Sequence, residues 1–520
     1  MSSRRQAGAG SLAMGQPSRL PGRALRRLAG GAPASRALVL LCLLCLQFAC
    51  QADPRVDYTV KVDPARAPIV DVEAKLSGFG EDPVYLNIPL GYAYANVKTD
   101  HVENLVATGG DGKELEPVVV EGRIYGWPAA PAKVAYSVSM THRAEVAEEA
   151  QKDGRNQATY EHPYVDDKHA FLIGSAVFMV PDLWDVRSSV VFQVPSGWRV
   201  LTPWSQKGDA YLPPSLTSLI DNYVALGHWD VRTVEVGGFK ATLGFANGTP
   251  FGKDRLAEAF SRIIEAEMDV IGRPPPHDGY LFFFPDVGDM KGLGGSAKAE
   301  SMVLALGEDM TEGDLPKVAR LVAHEFFHLF AHGRQPAADD LRFFNEGFTE
   351  YYAYVACTRS HILTEAMLRR TIGQLLTRLR ELPAGMTMRE AQTRFFDDTD
   401  AATLCYVGGL LWALRLDAEL RNASAGSRTL DALVRCFYTE AVPAITLVPE
   451  PYDYAAWHQA ADEWWPSAPE GTFDMRLDDP LPWDLSGLLA PTGLDLGPCD
   501  RGLSPGVVDD AVFTRIFQGG

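Results

Sequence analysis

The chain has 520 residues, enough for two or three domains with ample core, and carries 48 basic against 67 acidic side chains. All seven basic groups of the first fifty residues are arginines with no acid among them, which leaves 41 basic against 67 acidic groups, or −26, for the remainder. That charge excludes nucleic-acid phosphates as partners. Beyond Cys50 only Cys357, Cys405, Cys436 and Cys499 remain. This is too few for a disulfide framework, although one bridge fits an oxidising compartment.

In chain order, the first segment (1–50) ends in the apolar run 37–46 ahead of Ala49-Cys50. A basic stretch, a short apolar run and a small residue before a cysteine predict a secretory signal. The run is short for a membrane span. Lipidation of Cys50 after cleavage is one outcome, although Gln47 and Phe48 suit a lipobox poorly; simple cleavage is the other. Either way the expected product is exported: periplasmic or outer-membrane lipoprotein of a bacterium, or secreted. The membrane would be reached only through Cys50.

Residues 51–239 are rich in short alternating runs (58–62, 83–88, 134–138, 189–194) punctuated by Gly, Pro and Asp. This pattern predicts a β-sandwich. The polar stretch 145–160 predicts a loop, and His162 and His169 are assigned as ordinary residues rather than ligands. From Lys240 the texture changes, opening a segment taken as 240–385. Residues 254–271 have the period of an amphipathic helix, broken by Arg273-Pro274-Pro275-Pro276, and 280–284 predict a buried strand. Gly292 to Val303 predict a glycine-rich turn entering an edge strand.

The stretch that carries chemistry is His324-Glu325-Phe326-Phe327-His328, followed after seventeen residues by Glu346. On a helix the two histidines lie four positions apart on one face, so both imidazoles reach one ion. Two imidazoles and a carboxylate leave a fourth zinc position for water, the arrangement of a catalytic site. Glu325 is placed to take a proton from that water. A helix is expected over 315–331, capped by Asp314, with Pro316 in its first turn and Gly333 as its stop. A second is expected over 342–357, where Glu350 lies one turn beyond Glu346 and can fix the tautomer of a ligand histidine. Further helices are expected at 362–382, 389–392 and 402–422, the last two within a helical segment 386–520. His332, His361 and His458 are assigned to the surface or to satisfied core positions.

Asn345-Glu346-Gly347-Phe348-Thr349-Glu350-Tyr351-Tyr352 after His324-Glu325-Phe326-Phe327-His328-Leu329 resembles the gluzincin metallopeptidases, above all the glycyl aminopeptidase family. Three further stretches are similar to it in order: His328-Leu329-Phe330 through Arg334-Gln335-Pro336; Tyr406 to Asp417, with Gly408 where lysine is usual; and Pro480-Leu481-Pro482-Trp483 with the later Gly493-Leu494. The resemblance implies a multidomain α+β protein, an N-terminal β-sandwich followed by a thermolysin-like zinc peptidase domain with a largely helical C-terminal part. It implies one zinc per chain, a peptide or protein substrate, and Tyr406 as the phenol that donates to the oxyanion. Only 26 residues follow Leu494, so the PDZ domain often found after this catalytic region is expected to be absent.

One departure bears on substrate. Where the family carries Gly-Gly-Leu-Glu-His-x-x-Ser on the strand bordering the substrate, this chain has Gly294, Gly295 and Ser301 in place but Ala297 and Lys298 for Glu-His. A carboxylate there suits a substrate's α-amine; Ala297 removes it, and Glu300 is the substitute nearest in sequence. The expected function is therefore a zinc-dependent, aminopeptidase-like peptidase. The alternatives are an endopeptidase of the same fold and a catalytically weak, anchored peptide-binding protein. A structural-zinc scaffold is disfavoured, because only three ligands are visible.

Overall fold

The computed structural model describes residues 53–80, 82–88, 102–120, 124–140, 163–183, 185–246, 248–249, 251–276, 279–287, 290–331, 341–439, 453–497, 504–507 and 510–518. The expected export signal with Cys50, the stretch 145–160, His162, His332, Arg334-Gln335-Pro336 and Cys499 lie outside them. From Asp53 onward the chain packs as one compact unit.

The β-rich part is built around Arg55–Val62, which pairs parallel with Arg187–Gln193 and antiparallel with Ile69–Ser77 in an eight-stranded sheet. Strict alternation along this strand buries Val56, Tyr58, Val60 and Val62, so one face of the sheet closes a core that includes Trp127, Tyr136 and Phe178. Buried phenols need partners: Tyr58 Oη donates to the Met179 carbonyl at 2.6 Å and Tyr136 Oη to the Val177 carbonyl at 2.9 Å. Two four-stranded sheets complete this part.

One of those sheets touches the sheet that follows it in the chain. The latter has five strands in the order Asp230–Val236, Phe239–Phe245, Gly279–Phe284, Ser301–Leu306 and Leu293–Ala297, with Leu293–Ala297 as an antiparallel edge. Gly279–Phe284 pairs parallel with both neighbours, which explains its unbroken apolar composition: both faces are covered. Tyr280, Phe282 and Phe284 point into the helical core, while Leu281 and Phe283 meet Phe171, Tyr223 and Trp229 of the β part. Each such phenylalanine contributes about 1.5–3 kcal/mol of burial.

The helices cover the other face. Lys253–Ile271 and Leu315–Phe327 stand where helices were expected, but the second ends at Phe327 and tightens into a 3-10 turn at His328–Ala331. Asp314 does not cap it: its carboxylate bonds back to Thr311 and forward to Lys317 at 2.7 Å. The expected helices at 342–357 and 402–422 each contain a π turn, Phe343–Phe348 and Leu404–Gly408. Cys357 and Cys405 are buried free thiols. Among the described residues no helix is long and apolar enough to cross a membrane.

Candidate metal centre

The spacing His324-x-x-x-His328 on the Leu315–Phe327 helix and its 3-10 continuation brings the two Nε2 atoms to 3.3 Å. Glu346, carried by the π turn Phe343–Phe348, places Oε2 at 3.4 Å from His324 Nε2 and 3.8 Å from His328 Nε2. These three ligand atoms lie within 4.8 Å of one another, the one such cluster among the described residues. Tetrahedral zinc with bonds of about 2.0–2.1 Å needs donors roughly 3.4 Å apart, so the set fits that ion.

Behind the ligands runs a chain of charge. His324 Nδ1 sits 3.0 Å from Glu350 Oε2, and both Glu350 oxygens accept from Arg320 Nη1 at 2.7 Å. A carboxylate that accepts from Nδ1–H leaves Nε2 free to face a cation. Burial opposes charge at His324, but Glu346 and Glu350 outweigh it and raise the imidazole to about 10. Burial dominates at His328 and pushes it down to about 4. Burial also opposes ionisation of both carboxylates. Even so, His324 lowers Glu346 to about 2, and Arg320 together with His324 lowers Glu350 to about 2. Both carboxylates are therefore ionised at neutral pH, as ligation of a cation requires.

Tyr406 rises from the second π turn with its ring centroid 5.8 Å from that of His324, and its hydroxyl faces the Glu346 carboxylate. Burial, reinforced by Glu346 and Glu325, holds the phenol protonated far above its usual range, the form that donates. Two glycines let the π turns meet. A Cβ on Gly347 would stand 2.4 Å from Gly409 Cα, and one on Gly409 would stand 2.2 Å from the Phe343 carbonyl oxygen. Backbone thus touches backbone where Glu346 and Tyr406 converge. Below them Asp417 accepts from Tyr351 Oη at 2.9 Å, Arg421 Nε at 3.1 Å and the Leu430 amide at 2.7 Å, tying three helices together.

The glycine-rich edge strand runs beside this helix. Gly295 packs against Leu321, where a Cβ would meet Cδ2 at 3.0 Å. Ser301 is fully buried and spans the two parts of the chain, donating to Asn222 Oδ1 at 2.7 Å and accepting the Tyr223 amide at 2.8 Å. Its hydroxyl is thereby committed away from any substrate. Glu300 is committed as well: it accepts from Ser218 Oγ at 2.6 Å and from the Asn222 amide group. It does not replace the carboxylate missing at Ala297. Lys298 is buried with its ammonium 5.4 Å over the Tyr223 ring, turned to the β part. His169 lies buried against Trp229, outside the ligand cluster.

Sequence reasoning did not single out Arg320, although its position one turn before His324 was the available signal. Ser218 and Asn222 gave none, since their partners lie far along the chain.

Residues 57–228 match the model of the peptidase M61 N-terminal domain, and residues 317–407 match that of the M61 glycyl aminopeptidase. Together the two segments cover just over half of the chain. The chain belongs to the M61 peptidase family. It is accordingly a zinc metallopeptidase of aminopeptidase-like type. No curated protein matches it. Among solved structures, an aminopeptidase N family protein from Idiomarina loihiensis shares 18% identity and a TM-score of 0.69, over 88% of this chain and 82% of that one. An M1 zinc metallopeptidase from Deinococcus radiodurans shares 13% identity and a TM-score of 0.51, over 82% and 94%. These likenesses establish the fold.

Proposed function

We propose that this M61 chain binds one zinc through His324, His328 and Glu346 and hydrolyses peptide bonds with Glu325 as general base. The observation that carries this is the separation of 3.3–3.8 Å among the three donors, which suits a single tetrahedral ion with one position left open. A zinc ion there supplies Lewis acidity to the scissile carbonyl and to the attacking water. Glu325, next to His324, accepts the water's proton and hands it to the leaving amine. Tyr406 Oη donates to the oxyanion as negative charge develops on the carbonyl oxygen. Glu350, braced by Arg320, keeps His324 in the tautomer the cation needs. Gly294 and Gly295 offer an edge strand along which an extended peptide can lie.

A second reading, an endopeptidase, is favoured by one observation: Ala297 offers no carboxylate for an α-amine, and Glu300 is bound to Ser218 and Asn222. Paired peptides differing only in a free or acetylated N-terminus separate the two. Chelator-sensitive release of single residues from the free peptide alone supports the aminopeptidase; internal cleavage of both supports the endopeptidase. Cleavage of neither, by zinc-loaded protein, would overturn the peptidase assignment. The arginine-rich start and the apolar run before Cys50 support export, with or without a lipid at that cysteine. Cell fractionation with mass analysis of the mature N-terminus tests this.

A further inference from the structure

Arg342 stands one turn before Glu346 on the same helical segment, at the entry to the π turn. Its guanidinium lies 4.6 Å over the ring of Phe396 and 5.6 Å over that of Phe395. Phe395 in turn packs 5.6 Å from Tyr406, which itself faces His324. The Arg342 cation and the Glu346 carboxylate both act on the Cys405 thiol, in opposite directions. The arginine therefore belongs to the wall of the metal site on its Tyr406 side.

Among the described residues no acidic side chain pairs with Arg342, and its Nε is buried without a hydrogen-bond partner. Other arginines of this half are neutralised: Arg320 by Glu350, Arg359 by Asp431, Arg369 by Glu365, Arg415 by Glu419, Arg421 by Asp417. A buried donor left open is costly unless something arrives to fill it. Phe396, 54% exposed, holds the guanidinium plane at the solvent boundary, where stacking fixes its fork for a planar, bidentate partner. At the other end of the site, Ala297 and the committed Glu300 leave the edge strand without a carboxylate for an ammonium.

We propose that Arg342, stacked on Phe395 and Phe396, is a subsite for a substrate carboxylate beside Tyr406. The chain then selects its peptides by an acidic group rather than by the α-amine alone. Two sources share that chemistry, an acidic side chain and a peptide C-terminus. The inference rests on the peptidase reading and deepens it.

The test uses zinc-loaded E325Q protein, so that binding is read without turnover, and three peptides of one sequence. One ends in a free carboxylate, one in an amide, and one in an amide with an added glutamate. At least one carboxylate-bearing peptide is expected to bind about fivefold or more tightly than the neutral amide. That preference should disappear in E325Q/R342M and survive in part in E325Q/R342K, which keeps the charge and loses the fork. The arm that shows the preference names the source. Equal affinities for all three peptides, or a preference that persists in the R342M background, would overturn the subsite and leave the peptidase reading intact. Zinc content and melting temperature of both double variants, matched to E325Q, exclude a folding defect. Binding of no peptide at all would overturn both.

Discussion

Arg320 reaches the metal site through Glu350, whose two oxygens it holds at 2.7 Å. The pair is largely buried, so removing the arginine leaves a carboxylate unpaired inside the protein, a worse state than a surface ion pair broken in water. The freed Glu350 would then gain a proton more readily and lose its grip on His324 Nδ1. R320M is expected to weaken zinc binding by roughly tenfold to a hundredfold, the usual cost of losing an outer partner of a ligand histidine. R320K should recover part of that loss. Competition with a metal-binding dye measures it, and an unchanged affinity in R320M would separate Arg320 from the metal.

At the scale of elements, the decisive contact is between the two π turns. Gly347 and Gly409 meet backbone to backbone, and a methyl group at either has nowhere to go because the atoms opposing it are main chain. G347A is expected to cost about 3 kcal/mol or more, lowering the melting temperature and the zinc content together as Glu346 and Tyr406 are pushed apart. A variant with wild-type zinc content and stability would contradict this packing. The ligand set was legible in the sequence because i, i+4 spacing on a helix is a local rule, as is the alternation that marked strands such as Arg55–Val62. The π turns were not legible. They arise where tertiary contact between Gly347 and Gly409 overrides the local period, and nothing in residues 343–348 read alone calls for an extra residue in the turn. The clamp of Asn222 on Ser301 and Glu300 was likewise hidden, since it joins residues nearly eighty positions apart.

For the molecule as a whole, Glu267 sets an unusual term in stability. It lies fully buried on Lys253–Ile271, neither oxygen has a hydrogen-bond partner among the described residues, and burial holds the carboxyl protonated well above its usual range. The folded protein thus keeps a proton that the unfolded chain releases above its ordinary value of 4.5. Stability contributed by this group is full below that pH and declines as pH rises. E267Q removes the titration, so its stability relative to wild type should improve from pH 5 to pH 8, by about 1–3 kcal/mol at the upper end. Denaturant unfolding at both pH values checks this; a relative loss at pH 8 would contradict a protonated Glu267.

The measurement that bears most directly on the account pairs zinc content with peptide turnover in wild type, E325Q and E346A. One zinc per chain is expected in wild type and in E325Q, and little in E346A. Turnover should be confined to wild type, with E325Q lower by roughly a hundredfold to ten-thousandfold. Wild-type turnover in E325Q would refute Glu325 as the base, and full zinc retention in E346A would refute the ligand set.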